Sequence, residues 1–390
     1  MRVLCSTTPM EGAFGPFVSL GRALVDAGHE VMVATGPDLQ RRVREEGFAA
    51  AIAGPAALEG AMAAAADPEV RDAPADERWR FPAAMFGGAI PAHKLPALHD
   101  LADEFGPDLV VHPPVDVAGP LLAAARGLPS ACYGFMQPLA PDVLGGIAQR
   151  VAPLWHDAGL TPDPRAGIYR RQYLDPCPPS LHSGTHPAER LVQPIRPEPP
   201  GDPLATLPPW AGRLGRRPVL YVSLGTVPFF NQPARFRALL SDLLEQDVEL
   251  VVTVSELHDP ASLGLSAPTL HVERWLPLAP LLARCDAVLC HAGSGTTLAA
   301  LAAGLPLVLV PDGADQFDNA RACEAAGVAR SLAPDQVSAR AVRDAVRAVL
   351  AADAPERAAA RRLADEIAAM PDASAIARQL EDLAARTIRR

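Results

Sequence analysis

Residues 287–303 read AVLCHAGSGTTLAALAA, and the fold class can be predicted from this segment. Its first four residues, Ala287 to Cys290, are apolar and predict a buried strand, whereas the run from Thr296 to Ala303 predicts a helix. Gly293 and Gly295 lie between them, where a backbone without side chains can approach a ligand closely. A strand, a glycine-rich turn and a helix in this order are typical of an open α/β sheet, which binds ligands beyond the carboxyl ends of its strands.

The same alternation of short apolar strands and helices occurs on both sides of a proline-rich stretch from Pro176 to Pro209. Such a stretch predicts an extended, semi-rigid linker. We therefore predict an α/β protein with two Rossmann-like, doubly wound parallel-sheet domains facing each other across a cleft. The first spans residues 1–205 and the second residues 206–390, and we expect the last helix to pack back on the first domain. Two stretches, Gly54 to Ala92 and Met136 to Asp175, are predicted to be long irregular loops.

Composition excludes several classes of function. A formal net charge of -10 and a pI near 5.5 leave no excess of positive charge for nucleic acid or anionic lipid. The N-terminus does not resemble a signal peptide, and no stretch is long and apolar enough to span a bilayer, so we expect a cytoplasmic protein. The six cysteines are scattered without paired spacing, which predicts free thiols and no zinc site.

The loop from His291 to Thr297 predicts an anion site, since free amides, hydroxyls and a helix dipole meet there. A diphosphate fits such a site. The dinucleotide fingerprint is incomplete because Leu298 takes the place of its third glycine, and the phosphate-loop pattern is absent. No Asp-x-Asp pair is available for a divalent cation, so we expect no metal and no resident cofactor. His291 then helps to stabilise the leaving group as a hydrogen-bond donor.

Five motifs together resemble the bacterial glycosyltransferases that decorate natural products, within the UDP-glycosyltransferase-like family. They are Gly28-His-Glu-Val31, Leu224-Gly-Thr226, Trp275-Leu-Pro-Leu278, His291 to Thr297, and Asp315-Gln-Phe-Asp-Asn-Ala320. The resemblance implies the GT-B fold. It also implies that Trp275 stacks on the donor base and that His291 contacts the first phosphate. By the same resemblance, Thr296 and Thr226 bind the second phosphate, and Asp315 and Gln316 bind the sugar hydroxyls. The donor-binding residues so implied are Thr226, Trp275, Leu276, Pro277, His291, Gly293, Ser294, Gly295, Thr296, Asp315 and Gln316.

Each donor assignment has a structural alternative. Trp275 could be a buried core anchor, His291 a helix-cap histidine, and Asp315 the N-cap of its helix. Relatives that use ribonucleotides often carry an acid shortly after the glycine-rich loop, which binds both ribose hydroxyls. Ala299 stands at that position here, so a thymidine-diphosphate deoxysugar is the expected donor.

The acceptor side departs from the family pattern. The loop after the first strand usually carries a histidine that acts as base, but Ala13 occupies its position, and Pro113 stands near the place of the acid that orients it. Glu11 and His112 are the candidate bases, with Asp116 close by. Alternatively, the acceptor is itself a good nucleophile, or the protein binds the donor without turnover. The expected acceptor-binding residues are Ala13, Phe14, Trp79, Phe86, Phe135 and Met136.

The sequence thus predicts an inverting glycosyltransferase that moves a deoxysugar from a nucleoside diphosphate to a small natural-product aglycone. Two alternatives are a non-catalytic sugar-nucleotide-binding partner of another transferase and a sugar-nucleotide epimerase. The expected partners are the sugar nucleotide, the aglycone and a second copy of the chain, without nucleic acid or membrane.

Overall fold

The computed structural model describes residues 1–74, 77–182, 186, 189–199, 204–227, 231–256 and 258–388. The chain forms two compact units. Unit 1 contains Met1–Pro176, Thr185–Ile195 and Pro371–Arg390, and unit 2 contains Cys177–Gly184 and Arg196–Met370. The chain therefore passes between the two units within the proline-rich stretch and returns to unit 1 at Pro371. The sequence prediction instead placed a single boundary between residues 205 and 206.

Each unit is built on a parallel sheet. Over the described residues, unit 1 has seven strands in the order β3-β2-β1-β4-β5-β6-β7 and unit 2 has six in the order β10-β9-β8-β11-β12-β13. The strands are β1 Arg2–Ser6, β2 Glu30–Thr35, β3 Ala49–Ile52, β4 Leu109–His112, β5 Ser130–Tyr133, β6 Gln172–Asp175, β7 Val192–Pro194, β8 Val219–Ser223, β9 Glu249–Thr253, β10 Leu270–Glu273, β11 Ala287–Cys290, β12 Leu307–Leu309 and β13 Ala329–Ser331. This confirms the predicted doubly wound α/β architecture of both halves.

The strand order reverses once in each sheet, between β1 and β4 in unit 1 and between β8 and β11 in unit 2. Loops at the carboxyl ends of such strand pairs separate and leave room for a ligand. In unit 2 these are the loops that begin with Leu224 and with His291, which the sequence predicts to bind the donor.

Helices connect the strands and cover the sheets. They are α1 Glu11–Phe14, α2 Phe17–Asp26, α3 Gln40–Glu45, α4 Ala57–Ala66, α5 Pro68–Arg71, α6 Arg80–Ala84, α7 Ile90–Phe105, α8 Ala118–Arg126, α9 Pro141–Asp157, α10 Pro233–Leu240, α11 Leu278–Leu282, α12 Ser294–Ala302, α13 Gln316–Ala325, α14 Ala339–Leu350, α15 Pro355–Ala368 and α16 Ala373–Ile388. A π-helical turn, Met85–Ala89, joins α6 to α7.

The two stretches predicted to be irregular are largely helical, so that prediction is wrong. Residues 54–92 hold α4, α5, α6 and the π-helical turn, and residues 136–175 hold α9. Alanine, the strongest helix former, dominates α4. Pro153 sits inside α9, where tertiary packing outweighs the cost of a missing backbone hydrogen bond. These stretches contain prolines and glycines, which have low helix propensity, and for this reason the sequence did not predict the helices.

The core of unit 1 includes the C-terminal helix of the chain. Ile376 and Leu380 of α16 are fully buried in the same cluster as Leu20 and Leu24 of α2 and the strand residue Val33. Burying large aliphatic side chains stabilises by about 1.5–3 kcal/mol each. The chain therefore ends in unit 1 although the residues before α16 belong to unit 2.

The core of unit 2 lies between the strands β8, β9 and β11 and the helices α10 and α14. Phe236 and Leu240 of α10 are fully buried there, with Val346 of α14 almost so. This packing fixes α10 against the unit 2 core. No helix within the described parts of the chain has both the length and the apolar character needed to cross a bilayer.

Candidate functional site

The imidazole of His291 lies between two glycines at the carboxyl edge of the unit 2 sheet. A Cβ on Gly225 would lie 2.6 Å from Cε1 of His291, and one on Gly293 would lie 2.4 Å from Nε2. Gly225 also has a φ of 77°, in the left-handed region that favours glycine. Both glycines are therefore required for the ring to occupy this position.

The surroundings of His291 keep its ring neutral. Burial, reinforced by the positive charge of Arg235, lowers the pKa of His291 to about 4, and the backbone of Ser223 offsets this only in part. Nδ1 is buried and has no hydrogen-bond partner among the described residues. At neutral pH the ring is therefore a polar group without a full charge.

Helix α12 begins directly after this turn. Gly293 is its N-cap and has extended backbone, and a glycine has no side chain with which to cap the helix. The first amides of a helix have no intrahelical acceptor, and the dipole adds positive potential at this end. Ala292 has a φ of 66°, which turns the chain sharply between the strand and the helix. The turn thus presents backbone amides beside the His291 ring.

The carboxylate of Asp315 is tied to this turn. Its Oδ2 accepts hydrogen bonds from Ser294 Oγ and from Asn319 Nδ2, both at 2.9 Å. Asn319 Nδ2 also donates to the carbonyl of Ala292 at 2.9 Å. Burial raises the pKa of Asp315, and these two hydrogen bonds lower it only in part. Asp315 is the N-cap residue of α13, but its side chain does not cap that helix.

Gln316 and Arg235 hold the neighbouring loop. Gln316 Oε1 accepts hydrogen bonds from the amides of Asp312, at 2.8 Å, and Gly313, at 3.3 Å. Arg235 donates from Nη1 to Asp312 Oδ2 at 2.7 Å and from Nη2 to the carbonyl of Val310 at 2.8 Å. The loop after β12 is therefore fixed from both sides, by an amide and by a guanidinium.

Trp275 is exposed at the same edge. Its side chain is 53% exposed, whereas the following Leu276 and Pro277 are buried. The alternative that Trp275 is a core anchor is therefore wrong, and its ring is free to stack on a planar ligand. Thr226 is also exposed, and Thr296 lies half-buried in the first turn of α12.

In unit 1, Glu11 begins the short helix α1, in the connection after β1. Its side chain is half-buried, and its Oε2 lies 3.7 Å from Arg42 Nε. Burial raises the pKa of Glu11, an effect that Arg42 partly offsets. Ala13 lies two residues further on and is buried. Glu11 is thus a partly accessible carboxylate two residues before Ala13, the position at which the sequence resemblance predicts a catalytic histidine.

Asp116 forms a buried ion pair with Lys94. Its Oδ2 accepts a hydrogen bond of 2.5 Å from Nζ of Lys94, the single lysine of the chain. Its Oδ1 accepts from Ser6 Oγ at 3.1 Å and from the Gly119 amide at 3.0 Å. The side chains of Lys94 and Asp116 are 1% and 0% exposed. A substrate cannot reach Asp116 here, which corrects its assignment to the catalytic residues.

His112 is also enclosed, so its assignment as base is corrected too. It is 1% exposed, and Nδ1 donates to the carbonyl of Pro113 at 3.1 Å. Burial lowers the pKa of His112 to about 4, although this hydrogen bond and Asp116 raise it in part. The ring is therefore neutral, and an acceptor hydroxyl has no access to Nε2, which is buried as well.

Comparison with known proteins identifies the family. The family models "Erythromycin biosynthesis protein CIII-like, N-terminal domain" and "C-terminal domain" match residues 22–185 and 237–383. The chain is 34% identical to the L-demethylnoviosyl transferase of Streptomyces niveus over 391 positions, with 97% of both chains covered. The chain belongs to the erythromycin CIII-like family of bacterial natural-product glycosyltransferases.

Other members of the family agree over the whole length. The elloramycin glycosyltransferase ElmGT of Streptomyces olivaceus is 31% identical, with 97% of both chains covered. Among solved structures, the spinosyn rhamnosyltransferase SpnG complexed with thymidine diphosphate gives a TM-score of 0.83 at 28% identity, covering 98% of this chain and 100% of that one. The same rhamnosyltransferase matches in its complex with the spinosyn aglycone, with a TM-score of 0.82. The resemblance inferred from the five motifs is thereby confirmed.

Two of the residues expected to bind the acceptor are core residues in this glycosyltransferase. Phe14 is fully buried and packs edge-to-face on Phe48, with the ring centroids 6.3 Å apart. Met136 is also fully buried. Both side chains lack an open face for a ligand, and this corrects their assignment.

Four acceptor candidates remain. Ala13 is buried, with only 5% of its surface exposed, and the three aromatic candidates differ from it. Trp79 and Phe86 are partly buried and pack against the cluster that contains Trp155 and Ile147. Phe135 is partly buried as well. These three side chains keep some exposed surface, so their contact with an acceptor stays a prediction.

Sequence reasoning missed three residues of the glycosyltransferase. Asn319 lies inside the Asp-Gln-Phe-Asp-Asn-Ala motif, but its contacts to Ala292 and Asp315 depend on the folded turn. Arg235 and Lys94 each pair with a distant carboxylate. The one signal for Lys94 was that it is the single lysine in a chain whose positive charge is otherwise arginine.

Proposed function

We propose that this glycosyltransferase moves a deoxysugar from a thymidine diphosphate to a natural-product aglycone, with inversion and without a metal ion. The observation that carries the proposal is the turn at His291, where a neutral imidazole held between Gly225 and Gly293 lies beside the N-terminal end of α12. Such a turn binds linked phosphoryl groups through hydrogen bonds and the helix dipole. In this proposal the amides and His291 take over the role that a divalent cation has in other transferases.

The choice of thymidine diphosphate rests on Ala299 and on the relatives. Ala299 is buried in α12 and has no group that could bind the two hydroxyls of a ribose. A deoxyribose lacks one of those hydroxyls and loses less by the absence of a carboxylate there. One solved relative, the rhamnosyltransferase SpnG, is complexed with thymidine diphosphate. The exposed ring of Trp275 would stack on the thymine.

The sugar would lie against Asp315 and Gln316. Asp315 is held by Ser294 and Asn319, and the raised pKa reports a carboxylate in a poorly solvated position. Gln316 uses Oε1 for two loop amides, which leaves Nε2 as a donor for a sugar hydroxyl. Both groups are thus oriented before the donor arrives, and this favours a defined sugar geometry.

For the acceptor we propose Glu11 as the base. With Ala13 in the usual place of the histidine, and with His112 and Asp116 enclosed, Glu11 is the partly exposed carboxylate in the connection after β1. Burial raises its pKa, which moves the carboxylate toward the range in which a general base is effective. An acceptor that ionises readily, such as a phenol, would need little more than positioning. The complex of SpnG with an aglycone supports a small-molecule acceptor.

The experiment compares Gly293→Ala with Gly212→Ala. A Cβ at position 293 displaces the His291 ring, whereas one at the exposed Gly212 meets nothing within 4 Å. We expect calorimetry to show thymidine diphosphate binding to the wild type and to Gly212→Ala, and a loss of at least about tenfold in Gly293→Ala. Unchanged affinity in Gly293→Ala would remove the basis of the proposed donor site.

Turnover separates the proposed enzyme from a donor-binding partner. Wild-type protein is incubated with thymidine-diphosphate deoxysugars and phenolic or macrolide aglycones, and products are identified by mass spectrometry and by the anomeric configuration. Glu11→Gln should lower the rate with aliphatic alcohols more than with phenols, because phenols need less help to lose a proton. Binding without any product from a broad panel would favour a non-catalytic role, and a stereoisomer formed without acceptor would favour an epimerase.

A further inference from the structure

The carboxylate of Glu11 faces an arginine that is paired with a second carboxylate. Nε of Arg42, on α3, lies 3.7 Å from Oε2 of Glu11, which is beyond hydrogen-bonding distance. The same guanidinium contacts Glu46 directly through Nη1. Arg42 thus pairs with Glu46 and only approaches Glu11. The difference matters because a carboxylate in direct contact with a guanidinium holds a proton less tightly and is a poorer base.

Glu46 is buried and is held from two sides. It follows the last residue of α3 and stands four positions after Arg42, so the two side chains are neighbours on the helix surface. Its side chain is only 2% exposed, and its second oxygen, Oε2, accepts a hydrogen bond of 2.5 Å from Nη2 of Arg22 on α2. A buried carboxylate requires such compensation, since an unpaired charge is costly to bury.

The exposed fractions separate the roles of the two carboxylates. The side chain of Glu11 is 38% exposed, so an acceptor hydroxyl can approach it, whereas Glu46 is enclosed. The other charges that act on Glu11, Arg41 and Glu45, also belong to α3; they pair with each other at 2.8 Å and are 76% and 49% exposed. Solvent therefore screens their influence. Burial is the main cause that raises the pKa of Glu11; Arg42 lowers it, and Glu46 raises it again.

We propose that Glu46 is a positioning residue for the transfer reaction: it binds Arg42 directly, keeps the guanidinium out of direct contact with Glu11, and so leaves the Glu11 carboxylate available to the acceptor. The inference rests on the proposed function, in which Glu11 is the base. In the transfer step the acceptor oxygen bonds to the anomeric carbon, and the bond from that carbon to the diphosphate breaks with its electron pair on the diphosphate. The proton of the acceptor hydroxyl passes to Glu11.

The test compares Glu46→Gln with Glu45→Gln as a matched control. Both variants lose one negative charge from the same end of α3, but Glu45 pairs with the exposed Arg41. Glutamine keeps the shape of Glu46 and binds a guanidinium more weakly, so Arg42 is free to pair with Glu11. We expect the pKa of Glu11 to fall by about one unit in Glu46→Gln and by less than about a third as much in Glu45→Gln. The ¹³C-carboxyl resonance of Glu11, assigned through Glu11→Gln, measures this shift without turnover.

Arg42→Gln is the second variant, because Glu46→Gln also weakens the contact to Arg22 and with it the packing of α2 on α3. Removal of the guanidinium should raise the pKa of Glu11, and a shift in this direction cannot come from the same structural loss. Glu46→Asp keeps the negative charge and should restore most of the wild-type value. Equal melting temperatures show which variants retain the fold.

Catalysis supplies a second readout. With an aliphatic alcohol as acceptor, kcat/KM rises with pH as Glu11 loses its proton. The acid limb of this profile should therefore move to lower pH in Glu46→Gln and to higher pH in Arg42→Gln. The plateau rate in Glu46→Gln should fall by about threefold, because a weaker base removes the proton less effectively.

The outcomes separate the inference from the proposed function. An unchanged pKa of Glu11 in Glu46→Gln, or equal shifts in Glu45→Gln, overturns the role of Glu46 while the proposed function stands. If the carboxyl shifts as expected but the acid limb stays in place in every variant, Glu11→Gln included, then Glu11 is not the base and the inference fails with that assignment.

Discussion

Replacing Lys94 by methionine tests the buried ion pair of unit 1. Methionine is an unbranched side chain one atom shorter than lysine and carries no charge, so the carboxylate of Asp116 stays buried without a counter-charge. The carbonyl of Thr7 also loses the hydrogen bond of 2.6 Å that it accepts from Nζ. Breaking a buried pair by removing one partner costs about 3–5 kcal/mol. A typical domain is stable by only about 5–15 kcal/mol, so this loss is a large fraction of the total.

A double variant tests whether the lost stability comes from the interaction between Lys94 and Asp116. Lys94→Met/Asp116→Asn removes both charges, and the asparagine Oδ1 can still accept from Ser6 and from the amide of Gly119. We therefore expect the double variant to be destabilised by less than the sum of the single variants, with a coupling free energy of about 2–3 kcal/mol.

Hydrogen exchange followed by mass spectrometry is the appropriate assay, because unit 2 serves as an internal control. Peptides that cover β1 and β4 should lose protection in Lys94→Met, whereas peptides that cover β8 and β11 should keep theirs. A change below about 1 kcal/mol in unit 1, or additive effects of the two single substitutions, would contradict the description of a coupled, solvent-free pair.

Three further predictions follow from single contacts. Asn319→Ala removes the donor to the Ala292 carbonyl and one of the two donors to Asp315, and should cost about 1–3 kcal/mol in denaturant titrations and weaken thymidine diphosphate binding in calorimetry. Because burial lowers the pKa of His112 from 6.5 to about 4, the unfolded chain binds the proton first as pH falls. Between these pH values His112 should lower the free energy of unfolding by up to about 1.4 kcal/mol per pH unit, and His112→Gln should remove this contribution while that of His291 stays. Phe14→Ala should cost about 3–5 kcal/mol in thermal unfolding while KM for the acceptor stays unchanged.

Much of the fold could be predicted because buried parallel strands are apolar runs rich in β-branched residues. The predicted bounds of β11, Ala287 to Cys290, coincide with those observed. Strand β3 was missed because its sequence, Ala-Ala-Ala-Ile, carries almost no strand signal. Helix α7 was missed in part because Pro96 lies inside it. Local sequence could not show that tertiary packing tolerates this proline.

The candidate site also has parts that local sequence predicts and parts that depend on long-range contacts. The donor loops are local motifs in which a few consecutive residues carry the chemistry, so their position after β8, β11 and β12 could be predicted. The ion pairs depend on residues far apart in the chain: Lys94 and Asp116 are 22 positions apart, and Arg235 and Asp312 are 77 apart. A single sequence contains no signal for such pairs, and for this reason Asp116 was assigned to catalysis although it is a buried structural residue.

The distribution of charge between the two units follows from these pairs. In unit 1, near the carboxyl ends of β1 and β4, Lys94 neutralises Asp116 in an ion pair that is buried from solvent. Glu11, in the connection after β1, is a carboxylate that stays partly exposed. In unit 2 the charged groups stay at the rim, where Arg235 and Asp312 keep exposed surface. In the proposed mechanism, the transition state is therefore stabilised mainly through contacts to the departing diphosphate. Removal of the proton from the acceptor lowers the barrier less. An enzyme organised in this way depends on the acidity of its acceptor, which is a physical reason for a phenolic aglycone to be a better substrate than an aliphatic alcohol.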